Sequence, residues 1–534
     1  MNPDVVVIGA GPNGLTAAAL LARGGLKPLV LERRRVVGGA AVTEEFHPGF
    51  RGSTVAHTAG PLRADLARIL SLHGRGLEWI SPEPRVFAPL PDGRGLSLWG
   101  DPARTAADVE RFSSRDAARY AAFHASLSRL SAVLARLLEL TPPDIDRPSL
   151  RDLFPLAGFG WALRRLGRAD GQDLLRWGPM AVADFAGEWF ETPLLQAVVA
   201  ARGIRGMMAG PRSAGTTANL LLQAAADGGN GAGSTVLVRG GLGAVTAALA
   251  AAARGFGAEI RTGAAVERLL VRDGRVAGVV LAGGEEVAAR AVASAVDPAR
   301  TLLALLDPVA LDPEDVQRMR HYKTAGMASK VNLAHSGLPR FTAAPDGDAP
   351  LRGRIHIGPD VDSLERAFDE AKYGGISRRP WLDVTLPTLA DPSLAPARRH
   401  VMSVYVQYTP YRLRTGSWAE RGDEVVEAVL AILEEHAPGL SGLVVGHQVL
   451  TPRDLEETYG TTGGHPSHGE ASLDQLFLAR PLLGFGRYRT PVPGLYLCSA
   501  GTHPGGGVTG GPGANGARAI LRDLSRPGLF MKPV

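Results

Sequence analysis

Gly9-Ala10-Gly11-Pro12-Asn13-Gly14 sets three glycines at GxGxxG spacing, and Glu32 follows eighteen residues after the last of them. Those residue types at that spacing suit the holding of a dinucleotide. Gly9 permits a tight turn, Gly11 lets backbone approach a pyrophosphate, and Gly14 lets a helix lie close to a strand. Glu32 is placed to accept hydrogen bonds from ribose hydroxyls. Its charge disfavours a 2′-phosphate and so argues against NADP. Arg33-Arg34-Arg35 beside it reads as a solvated charge run. A second glycine pair, Gly38-Gly39, puts bare backbone near the middle of an extended ligand, which suits FAD better than NAD.

Two further stretches carry chemistry. Thr461 to Glu470 reads TTGGHPSHGE, a loop with two imidazoles, His465 and His468, and the carboxylate of Glu470. This is the polar cluster with acid–base potential, and Gly463, Gly464 and Gly469 give it backbone freedom. A His-x-x-His spacing can also hold metal. With a proline between the imidazoles and no further cysteine or paired acid, no metal is expected. Near the end of the chain, GLYLCSAGTHPGGGVTGGPGANGARAI reads as a strand over 495–498, a loop with seven glycines, and a helix over 514–521. Its bare amides could approach an isoalloxazine ring and ribityl chain, and His503 is the polar side chain nearest that loop.

These groups need elements to hold them. Val5 to Ile8 is an uncharged β-branched run, the pattern of a strand buried on both faces. A helix over 15–23 and a short strand over 29–31 complete a β-loop-helix-β unit, whose helix N-terminus offers unpaired N–H groups to phosphates. An Ala-rich helix over 244–254 leads into a meander over 259–296, whose strands are expected to return to the first sheet. The cofactor domain is therefore expected in three pieces, residues 1–80, 235–300 and 485–534. Residues 81–234 and 301–484 are expected to build a substrate domain. The fold class is α/β, a Rossmann-type FAD-binding domain with an inserted α+β substrate domain.

Composition bounds the rest. Hydrophobic residues are 45% and charged residues 21% of 534, as in an ordinary globular protein. The net charge of +5 fits an anionic cofactor or an anionic membrane surface, and no basic–aromatic stripe suggests nucleic acid. The single cysteine, Cys498, excludes an intramolecular disulfide and points to a reducing compartment. The first strand begins so early that a leader peptide is not expected, and no apolar run approaches about eighteen residues. A cytoplasmic protein is expected. Residues 151–190 interleave arginines with Trp161, Trp177 and Trp189. That pattern fits either a peripheral membrane contact or helices packed over a substrate tunnel.

With these motifs in hand, the chain resembles the phytoene-desaturase-like flavoprotein oxidoreductases of the wider amine-oxidase-like group. The motifs are GAGPNG, ERRRVVGGAAVTEE, RGGLGAVTAAL and LCSAGTHPGGGVTGGPGANGA. The stretch TPRDLEETYGTTGGHPSHGEASLDQLFLARP is most similar to the branch named for pyridine nucleotide-disulphide oxidoreductase domain-containing protein 2. A redox Cys-x-x-Cys pair is absent. Ala40 follows the second glycine pair where carotene desaturases usually carry Arg, so the resemblance implies the flavin fold and leaves the substrate open.

The resemblance implies hydride transfer between a C–H bond of an apolar, isoprenoid or lipid-like substrate and FAD. It implies that Gly9, Gly11, Pro12, Asn13, Gly14, Glu32 and Arg33 surround the ADP half, with Val266 against adenine. Gly38, Gly39 and Ala40 would line the passage to the ring, and Gly501, Thr502, Gly510 and Gly511 would lie against the flavin and its phosphates. His465, His468, Glu470 and His503 are the candidates for catalysis. The loop with His465 and His468 is expected to fold over the flavin, one imidazole handling the proton that accompanies hydride transfer. Two other readings stay open. One is a redox-neutral, flavin-dependent polyene isomerase. The other is a non-catalytic lipid carrier of the GDP-dissociation-inhibitor type.

Overall fold

A computed structural model describes residues 2–56, 58, 62–144, 150–227 and 235–524. Five parallel strands form one sheet, in the order Leu495–Leu497, Ala291–Ser294, Val5–Ile8, Pro28–Glu32, Glu259–Thr262. The strand Val5–Ile8 lies at its centre, which explains a run with no polar residue. Val5 and Val7 point into a core shared with the helices Pro12–Arg23, Gly243–Gly255 and Gly511–Leu524. Val6 and Ile8 point the other way, into a core shared with an antiparallel sheet. Each fully buried side chain of this kind is worth about 1.5–3 kcal/mol.

That antiparallel sheet differs from the meander expected above. Glu259–Thr262 and Ala291–Ser294 do join the parallel sheet, but Val266–Arg272, Arg275–Leu281 and Glu286–Ala288 form a three-stranded sheet of their own. The turn decides this. Asp273 at φ 49° and Gly274 at φ 70° make a two-residue connection with both centres left-handed. Such a turn reverses the chain into an antiparallel hairpin and cannot feed a parallel sheet.

A seven-stranded sheet has the order Val444–Leu450, Ala328–His335, His400–Gln407, Trp381–Thr385, Arg354–Ile357, Val86–Pro89, Gly95–Leu98. Its two faces follow the strand period of two. Val331, Leu333, Leu382, Val384, Val404 and Val406 pack against the helix Trp418–His436. The alternate positions Lys330, Asn332, Asp383, Thr385, Ser403, Tyr405 and Gln407 are buried and polar. Helices Ser114–Glu139, Val182–Trp189, Pro193–Ile204 and Thr216–Ala226 share one core, which also takes in Trp381, Tyr405 and Tyr408 on that polar side. No helix among the described residues is long and apolar enough to cross a membrane.

Candidate functional site

A cavity of about 710 Å³ runs from the glycine loop to the polar face of the large sheet. Gly9, Gly11, Pro12, Asn13, Glu32, Arg33, Gly39, Ala40 and Val266 all line it. Gly9 turns at φ 96°, and a Cβ on Gly14 would lie 2.0 Å from the Gly9 carbonyl oxygen. Gly14 thus holds helix against turn rather than facing the cavity. A Cβ on Gly11 would meet no protein atom within 4 Å, so its backbone is open to a ligand. Gly38 lies behind the wall, its N–H donating to the Ala10 carbonyl at 2.8 Å.

The wall has the features an ADP group needs. The helix Pro12–Arg23 begins at Gly11 with no side-chain cap, so first-turn amides lack intrahelical acceptors and carry the positive end of the dipole. Glu32 is buried, with Oε2 accepting from the Ala10 N–H at 2.8 Å and Oε1 from the Arg34 N–H at 2.9 Å. Each oxygen keeps acceptor capacity for a hydroxyl. An uncapped helix terminus beside a carboxylate clamped by two amides fits pyrophosphate and ribose together.

The far glycine loop meets the cavity through Pro504, Gly505, Gly506, Gly507, Val508 and Thr509. Gly501, Thr502, Gly510 and Gly511 lie outside this lining. A Cβ on Gly501 would press to 2.3 Å from Pro298, one on Gly511 to 2.8 Å from Pro504, and the Thr502 hydroxyl donates to the Ser499 carbonyl at 2.8 Å. Gly510 takes φ 70° at the start of the last helix.

The four candidate acid–base groups are placed differently. His465 lines the cavity, but both ring nitrogens are engaged. Nδ1 accepts from the Ser467 N–H at 3.2 Å, and Nε2 donates to the Gly206 carbonyl at 3.0 Å. Burial, and then the Arg480 cation, push it down to about 3. His468 also lines the cavity, and its Nδ1 is buried without a hydrogen-bond partner among the described residues. Burial lowers it too, against the pull of the Asp297 carboxylate. Glu470 is outside the lining, accepting from the Met208 N–H at 3.2 Å, and burial raises it. His503 is likewise outside. Its Nε2 bonds the Leu137 carbonyl at 3.0 Å, its ring meets Phe477 edge-on, and burial pushes it down to about 4.

Sequence reasoning passed over Arg480, whose side chain is 1% exposed. Its guanidinium donates to the carbonyls of Ser467, Gly469, Glu470, Gln475 and Ala500. One cation thus clamps the histidine loop to the strand end that precedes the far glycine loop. In sequence it is an ordinary arginine before a proline, with no local signal beyond its place in LARP.

Comparison with known proteins agrees with this geometry. Residues 13–514 match the family described as flavin containing amine oxidoreductase. The chain is 39% identical to pyridine nucleotide-disulfide oxidoreductase domain-containing protein 2 of Rattus norvegicus, over 98% of this chain and 94% of that one. It is 28% identical to a limonene dehydrogenase component from Castellaniella defragrans, over 98% and 95%. It is 30% identical to phytoene dehydrogenase of Streptomyces griseus, over 94% and 92%. The cofactor this wall accommodates is FAD, and the chain belongs to the flavin-containing amine oxidoreductase family.

Proposed function

We propose that the protein is an FAD-dependent dehydrogenase or desaturase that moves hydride between a C–H bond of an apolar, lipid-like substrate and the flavin. When bound, FAD supplies the hydride acceptor or donor at its N5 atom. The chain's own residues do the rest. Gly11, the first-turn amides and Glu32 hold the ADP half, and the loop 504–509 offers backbone to the remainder. Arg480 fixes the histidine loop. His468, which lines the cavity and whose buried Nδ1 has no hydrogen-bond partner among the described residues, handles the proton, and its lowered pKa keeps it neutral near pH 7.

One observation carries this reading. A single cavity joins the dinucleotide wall, His468 and a run of apolar side chains that includes Leu138, Leu222, Ala225 and Leu476. A carrier that only wraps lipid has no need of the Glu32 clamp. The names of two relatives, a limonene and a phytoene dehydrogenase, support a hydrocarbon-rich substrate. Phe154, Trp161 and Leu175 are exposed on the Arg/Trp-rich stretch, which supports a peripheral membrane contact for delivery of such a substrate. Mass spectrometry of isoprenoid and acyl lipids, incubated with and without active protein, tests the reading. A product two mass units from its substrate is expected. An isomer of unchanged mass would replace the reading by the isomerase, and no product at all, with lipid retained, by the carrier.

A further inference from the structure

The cavity does not end in apolar residues. Beyond the His465 contact to Gly206 lie three guanidiniums on its wall, Arg202, Arg205 and Arg354. They come from distant parts of the chain. Arg202 is in the last turn of the helix Pro193–Ile204, Arg205 caps that helix, and Arg354 opens the strand Arg354–Ile357. Asn219 holds the helix end in place, its amide donating to the carbonyls of Gly203 and Arg205 at 2.8 and 3.3 Å. Behind Arg205 and Arg354, strand register sets Lys330, Tyr405, Asp383 and His356 in one row across the sheet.

The charges in this pocket do not balance. Arg202 pairs with Asp227, and Arg205 and Arg354 both reach the single carboxylate of Asp383, Arg354 at 3.5 Å. Among the described residues, two guanidiniums, Arg205 and Arg354, therefore share one carboxylate. The Nε of Arg354 is buried with no hydrogen-bond partner among the described residues. Arg205 is enclosed by protein, yet 20% of its side-chain surface stays open and it lines the cavity. A buried ion network that existed only for packing would be expected to close on itself, because an uncompensated buried charge is costly.

We propose that this end of the cavity binds the carboxylate of a substrate whose remainder is an apolar chain. The inference rests on the cavity being a lipid-binding active site and adds the head group. Planar, forked donors from Arg205 and Arg354 match a carboxylate in two-point contact. One negative charge also answers the imbalance. Arg205 and Arg354 share the Asp383 carboxylate, which leaves one guanidinium over. A phosphate dianion would overshoot it. The Arg205 site is one residue from the His465 contact, so the acid would anchor near the histidine loop while the chain lies along Leu138, Leu222 and Leu476.

Calorimetric titration of the flavin-loaded protein with octanoate and with 1-octanol tests this. The two probes share a chain and differ in the charged head. Octanoate is expected to bind at least about tenfold more tightly, the scale of a charge-assisted hydrogen bond. Arg354→Met should abolish most of that preference while leaving octanol unchanged. It leaves Asp383 its Arg205 partner, so the buried carboxylate stays compensated. Equal binding of the two probes, or no binding of octanoate, overturns the proposal. Acid-released FAD is measured on the same preparation. Full flavin without octanoate preference defeats this inference alone, whereas octanoate preference in a protein that never takes up flavin defeats the functional reading and leaves the carboxylate site.

Discussion

His465 and His468 stand three residues apart, and their surroundings give them opposite work. His465 spends both nitrogens on backbone, so it fixes the loop. Its ordinary value is 6.5, and burial pushes it down to about 3. Below pH 6.5 the unfolded chain takes up a proton that the folded chain refuses, so stability is full above that pH and is lost as pH falls toward 3. The thermal midpoint should therefore drop between pH 7 and pH 4. In His465→Asn the drop should be shallower by roughly 3 kcal/mol at pH 4, and superimposable pH profiles would refute the assignment. His468 has a nitrogen to spare and sits at φ 54°, a left-handed conformation that Asn also tolerates. His468→Asn should keep its FAD and lose about 10²–10⁴ in turnover. Turnover within a few-fold of the parent would mean that flavin position alone carries the chemistry. Which histidine could act was not legible in sequence, because the decisive partners, Gly206 and Arg480, belong to other segments. The charged end of the cavity was hidden for the same reason. Arg205, Arg354 and Asp383 are far apart in sequence, and only the fold brings them together.

At the scale of elements, the first strand, glycine loop and helix were legible because their constraints are local to one short segment. The structure lets two of those glycines be told apart by experiment. Gly14→Ala should destabilise the protein even without FAD, since its Cβ would collide with the Gly9 carbonyl oxygen. Gly11→Ala should leave the flavin-free protein within about half a kcal/mol of the parent and weaken FAD binding, because the methyl group would enter only ligand space. Thermal melts with and without FAD separate these outcomes, and equal effects of the two substitutions would mean the phosphates lie elsewhere. The meander was legible as strands but not as a separate sheet. Its pairing depends on the left-handed turn at Asp273 and Gly274 rather than on hydrophobic pattern. In the Arg/Trp-rich stretch the three tryptophans divide. Trp177 is buried and Trp189 packs edge-on against Phe123, whereas Trp161 is 52% exposed with Arg165 stacked on it. Replacing Phe154, Trp161 and Leu175 by Ser should reduce co-sedimentation with anionic lipid vesicles without altering FAD content. Unchanged sedimentation would assign these side chains no part in membrane contact.

For the whole molecule, the chain crosses repeatedly between its two main sheets. The parallel sheet takes strands from the beginning, middle and end of the sequence, and the seven-stranded sheet takes strands from between them. This weaving puts a glycine loop from each end of the chain on one cavity, with the polar face of the large sheet closing it. The proposed function requires flavin and an apolar substrate to meet in that cavity. It is tested most directly by following the visible absorbance of the flavin-loaded protein without oxygen, as isoprenoid and acyl lipids, with and without a terminal carboxylate, are added. A substrate of the proposed class should bleach the oxidised flavin in proportion to the lipid consumed, and readmitted oxygen or another acceptor should restore the colour. A fully flavin-loaded protein whose oxidised flavin is never bleached by these lipids, and whose chemically reduced flavin is never reoxidised by them without oxygen, would contradict it.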